Sequence, residues 1–589
     1  MALRRIVAVA LIIAAGCGRA TPPPTPPAAL LDRPASSGAL AVSADGATLA
    51  AVNPDSDSIT LVNLSTLTVR AEVSVGDEPR TLSFTADGAR LLVANAAGRT
   101  LSVIDPAGAE VVSDVAVGAL PYGVVAGGQR AYVSLTAPPR VAVIDLASLS
   151  IVAEVAVGEF PAGLALEAGE ARLFVTHLYT GAVSVVDTAS LAVTVIPAPA
   201  AEANLSQFIA LSPDGSRAYL PQTYSFADRL DLAYNNAVQP MVGVLDPAAG
   251  AFAAPLDLAA LDQPVNLPFA AALSPDGETL YVANAGSDDV VAIDLARMAP
   301  YYLNTGRNPR GLALSPDGAR LFVNAVLDGA LEVFDTATFE RLAILPLTTL
   351  PMPEAVLTGK RLFNSAHYPM STDNWLSCAT CHFDGGHDGR TWAGFPDGPR
   401  NTPTLVGAAD TLPLHWNGDL DEFADTEHTI RDIQGGAGLI AGEAHPTLGA
   451  PNAGRSAELD ALAAYLASLP VPPSPYAPAT VAEEAAFIRG EHAFRRWGCA
   501  ACHIGDSYTD QAQHNSGIGD PSLERRMMGP LPAFDTPTIL GAWATAPYFH
   551  DGSAPNLIDT FFSTGFHNMG PAMDPREVED LVYFMRAVP

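Results

Sequence analysis

Basic residues are scarce in this chain of 589 residues. Lys360 is its single lysine, and 31 basic residues stand against 63 acidic ones, which gives a formal net charge of −32. This balance excludes binding of nucleic acid or of anionic lipid through a basic patch. We therefore expect no nucleic-acid partner, and we expect any partner that charge guides to the surface to be basic.

Cysteine is equally scarce, with five residues in the whole chain, and four of them occupy two C-x-x-C-H pentapeptides. C-x-x-C-H is the attachment motif of c-type haem, in which both thiols form thioethers to the porphyrin and the histidine ligates the iron. A zinc knuckle or a CxxC redox pair is the alternative, but zinc does not require a histidine directly after both pairs. The motifs predict two covalently bound haems held by Cys378, Cys381, His382, Cys499, Cys502 and His503.

Long apolar runs are absent except at the amino terminus, where residues 1–17 have the pattern of an export signal. Two arginines precede an apolar segment, and small residues lead to Cys17, which resembles a bacterial lipobox. We expect Cys17 to carry a lipid, with a cleaved signal without lipid as the alternative. Residues 18–35 form a Pro-rich linker that would act as a stiff spacer. The prediction is a periplasm-facing lipoprotein of the outer membrane of a Gram-negative bacterium, with no membrane contact apart from the lipid anchor.

Residues 36–346 repeat with a period of about 40 to 42 residues, the length of a four-stranded propeller blade. Asp-Gly turns after Ala86, Pro275 and Pro316 separate alternating apolar strands. Seven cycles predict an all-β seven-bladed propeller, followed by mainly α-helical dihaem cytochrome c-like domains. The strands written Tyr281-Val-Ala-Asn and Val-x-Val-Ile-Asp are similar to those of the YVTN-type β-propeller family.

Histidine is nearly absent from the repeats, since only His177 of the twelve histidines lies there. Copper sites and additional haem sites in a propeller need several imidazoles. We therefore interpret His177 as an ordinary strand residue and the propeller as a scaffold, docking or binding surface. Blade five is long, because its turn at Asp214 and the next turn at Asp276 are 62 residues apart. The additional segment, residues 222–240, is either a surface loop or a part that packs onto the haem domain or a partner.

The remaining residues read as two cytochrome c-like domains, 347–470 and 481–589, joined by a linker at 471–480. Apolar residues at helical spacing predict helices at 353–364, 456–469, 483–497 and 575–587. Asp574 is the predicted N-cap of the last helix, with Pro575 in its first turn. Eleven of the twelve histidines and all five tryptophans lie in this half, which is where iron ligands and aromatic relays would be needed.

Several blocks of this half resemble the bacterial dihaem cytochrome c peroxidase/MauG family in order and spacing. They include Gly398-Pro-Arg-Asn401, His415-Trp416, Asp535-Thr-Pro and Thr545-Ala-Pro-Tyr-Phe-His-Asp-Gly552. The resemblance implies that Trp416 lies between the two haems as an electron relay, with a buried packing role as the alternative. It also implies one inter-haem Ca²⁺ held by the Asn401 side chain and by the carbonyls of Thr545 and Pro547, hard oxygen donors of the kind that Ca²⁺ prefers.

Opposite His382, the residues that the family uses on its first haem are replaced. The family's removable histidine ligand corresponds to Ala393 and its catalytic glutamate to Gly436. Peroxide cleavage needs an acid or base beside an open iron. The residues that could substitute are His387, His428, Gln434 and Glu443. We take His428 as the first catalytic candidate and Gln434 as the second, with a surface or structural role as the alternative for each.

The second haem shows a similar replacement. The position of the family's Met or Tyr ligand falls at Thr564, a poor ligand for iron. Met569 and His567 follow it, and we expect Met569 to be the axial ligand, with His567 or a vacant or water-bound position as alternatives. A thioether ligand would raise the reduction potential and an imidazole would lower it. His514 and His550 are expected to form hydrogen bonds rather than ligate iron.

These features favour haem-dependent electron transfer by a cytochrome c peroxidase/MauG-like oxidoreductase. The resemblance implies H₂O₂ and a redox partner protein, namely a small cytochrome, a cupredoxin or a protein substrate. A pure electron carrier with two six-coordinate haems needs only the two motifs and a bridging aromatic, and it stays open as the alternative. Activity in the propeller itself is the third hypothesis, although its strands offer no evident cofactor site.

Overall fold

A computed structural model of the chain describes residues 30–118, 120–234, 236–395, 398–518 and 533–588. The predicted export signal, Cys17 and residues 18–29 of the linker lie outside these ranges. None of the helices within the described ranges combines the length and the apolar character needed to cross a bilayer.

Seven antiparallel sheets form the seven predicted blades. The innermost strands of neighbouring sheets contact one another, and blade 7 contacts blade 1, so the ring is closed. The strands of blades 1 to 4 are Leu40–Val42, Thr48–Asn53, Ser58–Asn63, Thr68–Ser74; Pro79–Phe84, Leu91–Asn95, Thr100–Asp105, Glu110–Ala116; Pro121–Ala126, Arg130–Leu135, Arg140–Asp145, Ser150–Ala156; and Pro161–Leu166, Arg172–His177, Val183–Asp187, Val193–Ile196. Those of blades 5 to 7 are Ala203–Asn204, Ala210–Leu211, Ala218–Ser225, Val238–Asp246, Ala251–Phe252, Leu256–Asp257; Pro268–Leu273, Thr279–Asn284, Asp289–Asp294, Ala299–Asn304; and Pro309–Leu314, Arg320–Ala325, Ala330–Asp335, Arg341–Pro346.

The Asp-Gly turns explain why the repeats fold as hairpins. At the first of them, Asp87 Oδ1 accepts hydrogen bonds from Thr85 Oγ1 at 2.6 Å and from Ala89 N at 3.0 Å. Gly88 adopts a φ of 67°, which favours glycine. The side chain of Asp276 makes the corresponding bonds in blade 6. Local chemistry in each repeat therefore fixes its own turn.

The amino-terminal segment lies inside the ring. Ala35–Ser36 pairs with the innermost strand of blade 4, and Gly38 forms a bridge with Leu82 on the innermost strand of blade 2. Leu31 N donates to Glu170 Oε1 at 2.9 Å beside a blade-4 turn. The chain itself therefore occupies one end of the space that the blades enclose.

Six α-helices and two short hairpins organise the C-terminal half of the described chain. The helices are α1 (Glu354–Asn364), α2 (Cys378–Cys381), α3 (Thr426–Asp432), α4 (Ala457–Ala467), α5 (Val481–Arg496) and α6 (Pro575–Ala587). The hairpins pair Thr391–Trp392 with Arg400–Asn401 and Gln513–His514 with Phe534–Asp535. Single 3-10 turns lie at Pro54–Ser56, Val326–Asp328, Phe383–Gly385, Ala408–Asp410, Phe423–Asp425, Cys499–Ala501, Ala542–Ala544, Asp559–Phe561, Gly565–His567 and Gly570–Ala572. The four predicted helices are confirmed with ends shifted by at most two residues.

Each of the two haem domains contains an equivalent pair of packed helices. Helix α1 packs on α4 and α5 packs on α6, each through a glycine that lets the helices approach closely. A Cβ at Gly359 would collide with the Ala461 carbonyl, and one at Gly490 would collide with the Asp580 carbonyl. The predicted N-cap is also confirmed, since the Asp574 side chain accepts from Arg576 N at 2.9 Å.

The additional segment of blade five packs onto the first haem domain, so its interpretation as a free surface loop is wrong. Ala393 N donates to the Ala227 carbonyl at 2.7 Å. Gly394 lies against Leu232 and the Arg229 carbonyl. His177 is a buried strand residue as expected, with Nε2 2.8 Å from Ser184 Oγ.

Candidate haem-binding site

The first CxxCH forms the short helix α2 and is held by the propeller. Asn266, just before blade 6, donates through Nδ2 to Thr380 Oγ1 at 3.1 Å and to the Trp375 carbonyl at 2.9 Å. Its Oδ1 accepts from Ser377 Oγ at 3.0 Å. Ser377 is also the N-cap of α2, in a capping box with Thr380. One propeller side chain therefore fixes the start of the attachment helix.

His382 has the environment of an iron ligand. Its Nδ1 lies 3.0 Å from the Pro403 carbonyl and 3.3 Å from the Gly386 carbonyl, so Nδ1 carries the proton and Nε2 is left for a metal. Burial lowers the pKa of His382 to about 4, which keeps the ring neutral. A neutral imidazole held in this tautomer fits haem iron.

Asp384, two residues after His382, is bound by side chains of two blades. Asp384 forms ion pairs with Arg80 of blade 2 and Arg310 of blade 7, the latter at 2.7 Å. Burial alone would raise the pKa of Asp384, but the two guanidinium groups outweigh it and hold the pKa well below its usual range. Phe383 stacks on Phe269 of blade 6 with ring centroids 6.1 Å apart. We call Arg80, Asp384 and Arg310 the arginine clamp. The clamp places the haem-bearing loop over one end of the propeller, and the amino-terminal segment lies at the opposite end.

The four thiols have the properties of attachment points rather than of a redox pair. Within the described chain none of these cysteines forms a disulfide. Burial raises the pKa of Cys378, Cys381 and Cys502, and it raises the pKa of Cys499 to about 11. A catalytic CxxC pair depends on a lowered thiol pKa. The donor set therefore fits two c-type haems.

Gln434 is the proposed catalytic residue that the structure brings to the first CxxCH. Its Nε2 donates to Cys378 Sγ at 3.2 Å. Its Oε1 is buried and has no hydrogen-bond partner among the described residues. Such an unpartnered buried acceptor is costly, and it points to a group that the structure does not hold.

The other acid or base candidates are either hydrogen-bonded elsewhere or exposed. His428 Nε2 lies 2.8 Å from the His445 carbonyl, and its Nδ1 lies 3.9 Å from Asp432. His387 Nε2 bonds to the Ala544 carbonyl at 2.6 Å, and Glu443 is exposed. Gly436 lies so close to the carbonyls of Pro369 and Met370 that a Cβ would collide with them, which explains why no glutamate occupies this position.

Two tryptophans pack beside Cys381, in a cluster to which the propeller contributes Ala237 and Val238. Trp375 Nε1 donates to the Gln434 carbonyl at 3.2 Å, while Trp392 Nε1 donates to Asp388 Oδ2 at 2.9 Å. Burial raises the pKa of Asp388 to about 6 against the opposing effect of its hydrogen bonds. This cluster joins blade five to the first haem site.

The second CxxCH is more exposed. It lies on the turn Cys499–Ala501, and Ile504 directly after His503 is 45% exposed. His503 Nδ1 lies 3.2 Å from the Tyr508 carbonyl, and burial lowers the pKa of His503. The tautomer is therefore the same as that of His382.

His567 and Met569 both lie near this second site, in different surroundings. His567 Nδ1 is buried and lacks a hydrogen-bond partner in the part of the chain that the structure describes. Burial, together with a smaller effect of the nearby His503, lowers the pKa of His567 to about 4. Met569 packs against the apolar cluster of α5 and α6 that includes Phe494 and Phe584.

Trp416 lies where the two haem domains meet. Its Nε1 donates to the Asn401 carbonyl at 2.7 Å, and its carbonyl accepts from Asp535 N at 2.8 Å. Its ring is edge-on to His550, with centroids 6.4 Å apart. Asn401 Nδ2 in turn approaches the Pro547 carbonyl at 2.5 Å. The structure thus brings Trp416, Asn401 and Pro547 together, with Thr545 two residues before Pro547 in the chain.

His514 and His550 have hydrogen-bonding or packing roles. His514 Nε2 lies 2.8 Å from Asp510 Oδ2. His550 is buried, stacks on Phe534 at 3.8 Å and accepts from Asn401 N through its carbonyl at 2.6 Å.

Sequence reasoning missed the residues by which the propeller holds the first site. A signal exists for the arginine clamp, because Glu78-Pro-Arg80 and Asn308-Pro-Arg310 occupy the same place in their repeats. Blades 3, 4 and 6 have Tyr122, Ala162 and Phe269 there. Asn266 and Asp388 carry no comparable signal.

Comparisons with known proteins agree with this division of the chain. A family model described as YNCE-like beta-propeller matches residues 5–201, and one described as RoxA-like, cytochrome c-like matches residues 533–564. Relatives of the cytochrome c peroxidase and MauG kind match the C-terminal part. The methylamine utilization protein MauG of Methylorubrum extorquens is 30% identical over 291 residues, which cover 41% of this chain and 79% of that protein. The cytochrome c551 peroxidase of Pseudomonas aeruginosa is 28% identical over 268 residues, 39% of this chain and 77% of that protein. The hydrazine synthase subunit gamma of Kuenenia stuttgartiensis is 25% identical over 284 residues, 40% of this chain and 78% of that protein.

Proposed function

Because the chain belongs through its C-terminal part to the cytochrome c peroxidase/MauG family of haem-dependent oxidoreductases, we propose that it reduces H₂O₂ at the first CxxCH site with electrons received at the second. Oxidation of a protein substrate is the second form of the same activity. Bound haem supplies the one-electron chemistry of its iron, and the protein supplies ligands, orientation and hydrogen bonds.

The unequal surroundings of the two proximal histidines support this proposal. Near His503 stands His567, an imidazole with a buried nitrogen that lacks a partner among the described residues. Beside the first CxxCH stands Gln434, whose amide is a poor ligand for ferric iron. On these grounds His567 would ligate the iron of the second site and the first site would stay open to peroxide, and we place Met569 second to His567 as the ligand.

Gln434 acts in this proposal through its unpartnered Oε1, which would accept a hydrogen bond from peroxide. Its amide has no proton to exchange at neutral pH, so it orients peroxide and leaves proton transfer to water. His428 is assigned a structural role, because its Nε2 is bonded to the His445 carbonyl and its Nδ1 faces Asp432.

Trp416 relays electrons between the two sites, and Ca²⁺ holds the junction around it. If the Asn401 amide is turned end for end, its Oδ1 stands beside the Pro547 carbonyl and presents two hard oxygen donors. Thr545 would add a third through its carbonyl. The carbonyl of Asn401 also accepts from Trp416 Nε1, so the ion would stabilise the geometry of the relay.

The redox partner docks on the second haem domain. The first site is covered by the propeller through the arginine clamp and Asn266, whereas the second CxxCH is partly open. The net charge of −32 favours a basic small cytochrome or cupredoxin. The propeller then serves as the support of the first haem.

We further propose export, with Cys17 as lipid attachment on the periplasmic side of a Gram-negative outer membrane.

Peroxide reduction is tested with holoprotein of confirmed haem content and a reduced small cytochrome c as electron donor. We expect Gln434→Leu to lower kcat/KM for peroxide on the order of 100-fold, the usual cost of losing one positioned hydrogen-bonding group. Gln434→Glu should retain activity. His428→Ala is the matched control and should behave like wild type. Absence of peroxide consumption by the wild-type holoprotein would refute the proposal.

An electron carrier is the second candidate, and Met370 favours it. This methionine is 1% exposed and lies in the apolar cluster that also contains Ala379 and Phe383 of the first site. A thioether ligand from Met370 would close the first iron. A near-infrared charge-transfer band typical of Met–iron ligation, lost in Met370→Leu, would identify the carrier.

A further inference from the structure

The five tryptophans differ in the hydrogen-bond acceptors of their indole N–H groups. Trp392 donates to a carboxylate, Asp388 Oδ2, at 2.9 Å. Trp375 and Trp416 donate to neutral backbone carbonyls, at 3.2 and 2.7 Å. The N–H groups of Trp497 and Trp543 are buried without a partner among the described residues. Trp392 is thus the tryptophan in direct contact with an anion.

The carboxylate of Asp388 is fully enclosed. Its residue is 0% exposed, and Trp392 is 3% exposed. Besides the indole, Asp388 Oδ1 accepts from Arg390 N at 3.0 Å, and Thr402 contributes a side-chain hydrogen bond. The charged group that faces it is the Arg390 guanidinium, which is directed to the Ala203 carbonyl at 2.7 Å.

An anion in this position makes its indole easier to oxidise. Removal of one electron leaves a positive charge on the ring, which an adjacent carboxylate stabilises strongly in a poorly solvated interior. Oxidation also makes the indole N–H acidic, and a carboxylate can take the proton whereas a backbone carbonyl cannot. Trp375 lies in the same cluster and is equally buried, but it lacks both advantages.

We propose that Trp392 is a redox-active residue that supplies one of the two electrons for peroxide reduction, with Asp388 as the acceptor of its proton; this inference rests on the proposed function. H₂O₂ takes up two electrons and two solvent protons and leaves as two water molecules. The Trp392 indole supplies one electron, and haem bound at the first site would supply the other. The N–H proton moves to Asp388 Oδ2. Two electrons from the redox partner later restore the iron and the indole, and the proton returns to Nε1.

The position of Cys381 beside this cluster would give the electron a short route. Cys381 packs against the cluster that contains Trp392, and its sulfur is one of the two attachment points of the first haem. Ala393 N is bonded to the propeller at the Ala227 carbonyl, so the strand that carries Trp392 is fixed from both sides. The propeller therefore fixes Trp392 in the cluster beside Cys381, where the first haem would be attached.

The test is freeze-quench electron paramagnetic resonance of the oxidised holoprotein, in two arms. In the first arm the oxidant is H₂O₂, and its consumption is measured in parallel. In the second arm it is a photogenerated ruthenium(III) polypyridyl complex, which needs no peroxidase activity. We expect a tryptophan radical signal in both arms, lost in Trp392→Phe and shortened in lifetime in Asp388→Asn. Trp375→Phe, the matched control, should keep the signal. Haem content and circular dichroism establish that each variant is folded.

A signal that survives Trp392→Phe, or that disappears in Trp375→Phe, would overturn the assignment in either arm. An unchanged lifetime in Asp388→Asn would overturn the role of the carboxylate. Failure to consume peroxide would refute the proposed function alone, because the ruthenium arm would still decide whether Trp392 is the site of oxidation.

Discussion

Replacing Asp384 by asparagine isolates the charge of the arginine clamp. Asp384 has a φ of 50°, a left-handed conformation that asparagine also tolerates, so the substitution adds little backbone strain. It removes the anion between Arg80 and Arg310 and leaves two guanidinium groups facing each other at the junction of propeller and haem loop.

The expected cost follows from burial. The side chains of Arg80, Asp384 and Arg310 are 21%, 20% and 16% exposed. Breaking a buried ion pair by removal of one partner costs about 3–5 kcal/mol. Glu78 and Asn308 remain as acceptors for the two arginines, so we expect a loss of about 3 kcal/mol, at the lower end of that range.

Urea unfolding of the holoprotein, followed by tryptophan fluorescence and by haem absorbance, measures this loss. Asp294→Asn is the matched control, because Asp294 pairs with Arg297, whose side chain is 80% exposed. Such a surface pair contributes about 0–1 kcal/mol. Equal destabilisation by Asp384→Asn and Asp294→Asn would refute the conclusion that the clamp holds the first haem domain on the propeller.

Three further predictions concern pH, calcium and the relay. Burial raises the folded-state pKa of Asp289 to about 7, so the folded protein loses stability as pH rises from the unfolded pKa towards 7. Asp289→Asn should therefore stabilise the protein at pH 8, on the order of 4 kcal/mol, and not at pH 4; equal effects at both values would contradict this. Chelation of calcium should slow electron transfer between the haems in wild type but not in Asn401→Ala, and an unaffected wild type would argue against the ion. Trp416→Phe should slow the same transfer, measured by flash photoreduction, whereas Trp543→Phe should not; equal rates in the two variants would contradict the relay.

The blades and helices were predictable because local chemistry specifies them. The turn at Asp87 closes through bonds to residues two positions away, and α5 begins with a capping box between Thr480 and Glu483. Such signals repeat along the chain and can be recognised without knowledge of the tertiary structure. The CxxCH motifs are equally local, since thioether attachment depends on spacing alone.

The support of the first haem was not predictable in this way. Arg80 and Asp384 are 304 positions apart, and Asn266 and Thr380 are 114 apart. No periodicity links such residues, because their contact depends on how the propeller and the haem domain dock. Blade five was ambiguous for the same reason, since additional length does not reveal where a segment packs.

The proposed axial ligands are intermediate between the locally specified elements, which were predictable, and the docking contacts, which were not. Counting from His550 reaches Thr564, but the chain then turns twice in quick succession, at Gly565–His567 and Gly570–Ala572. His567 ends the first of these turns and Met569 is the N-cap of the second, and sequence spacing alone does not predict this placement.

Electron paramagnetic resonance of the ferric holoprotein tests the central claim most directly, because it reports the coordination of each iron. The account predicts one high-spin signal from the open first haem and one low-spin bis-imidazole signal from the second. The low-spin signal should be lost in His567→Ala and kept in Met569→Leu. Two low-spin signals in the wild-type protein would contradict the account and identify an electron carrier.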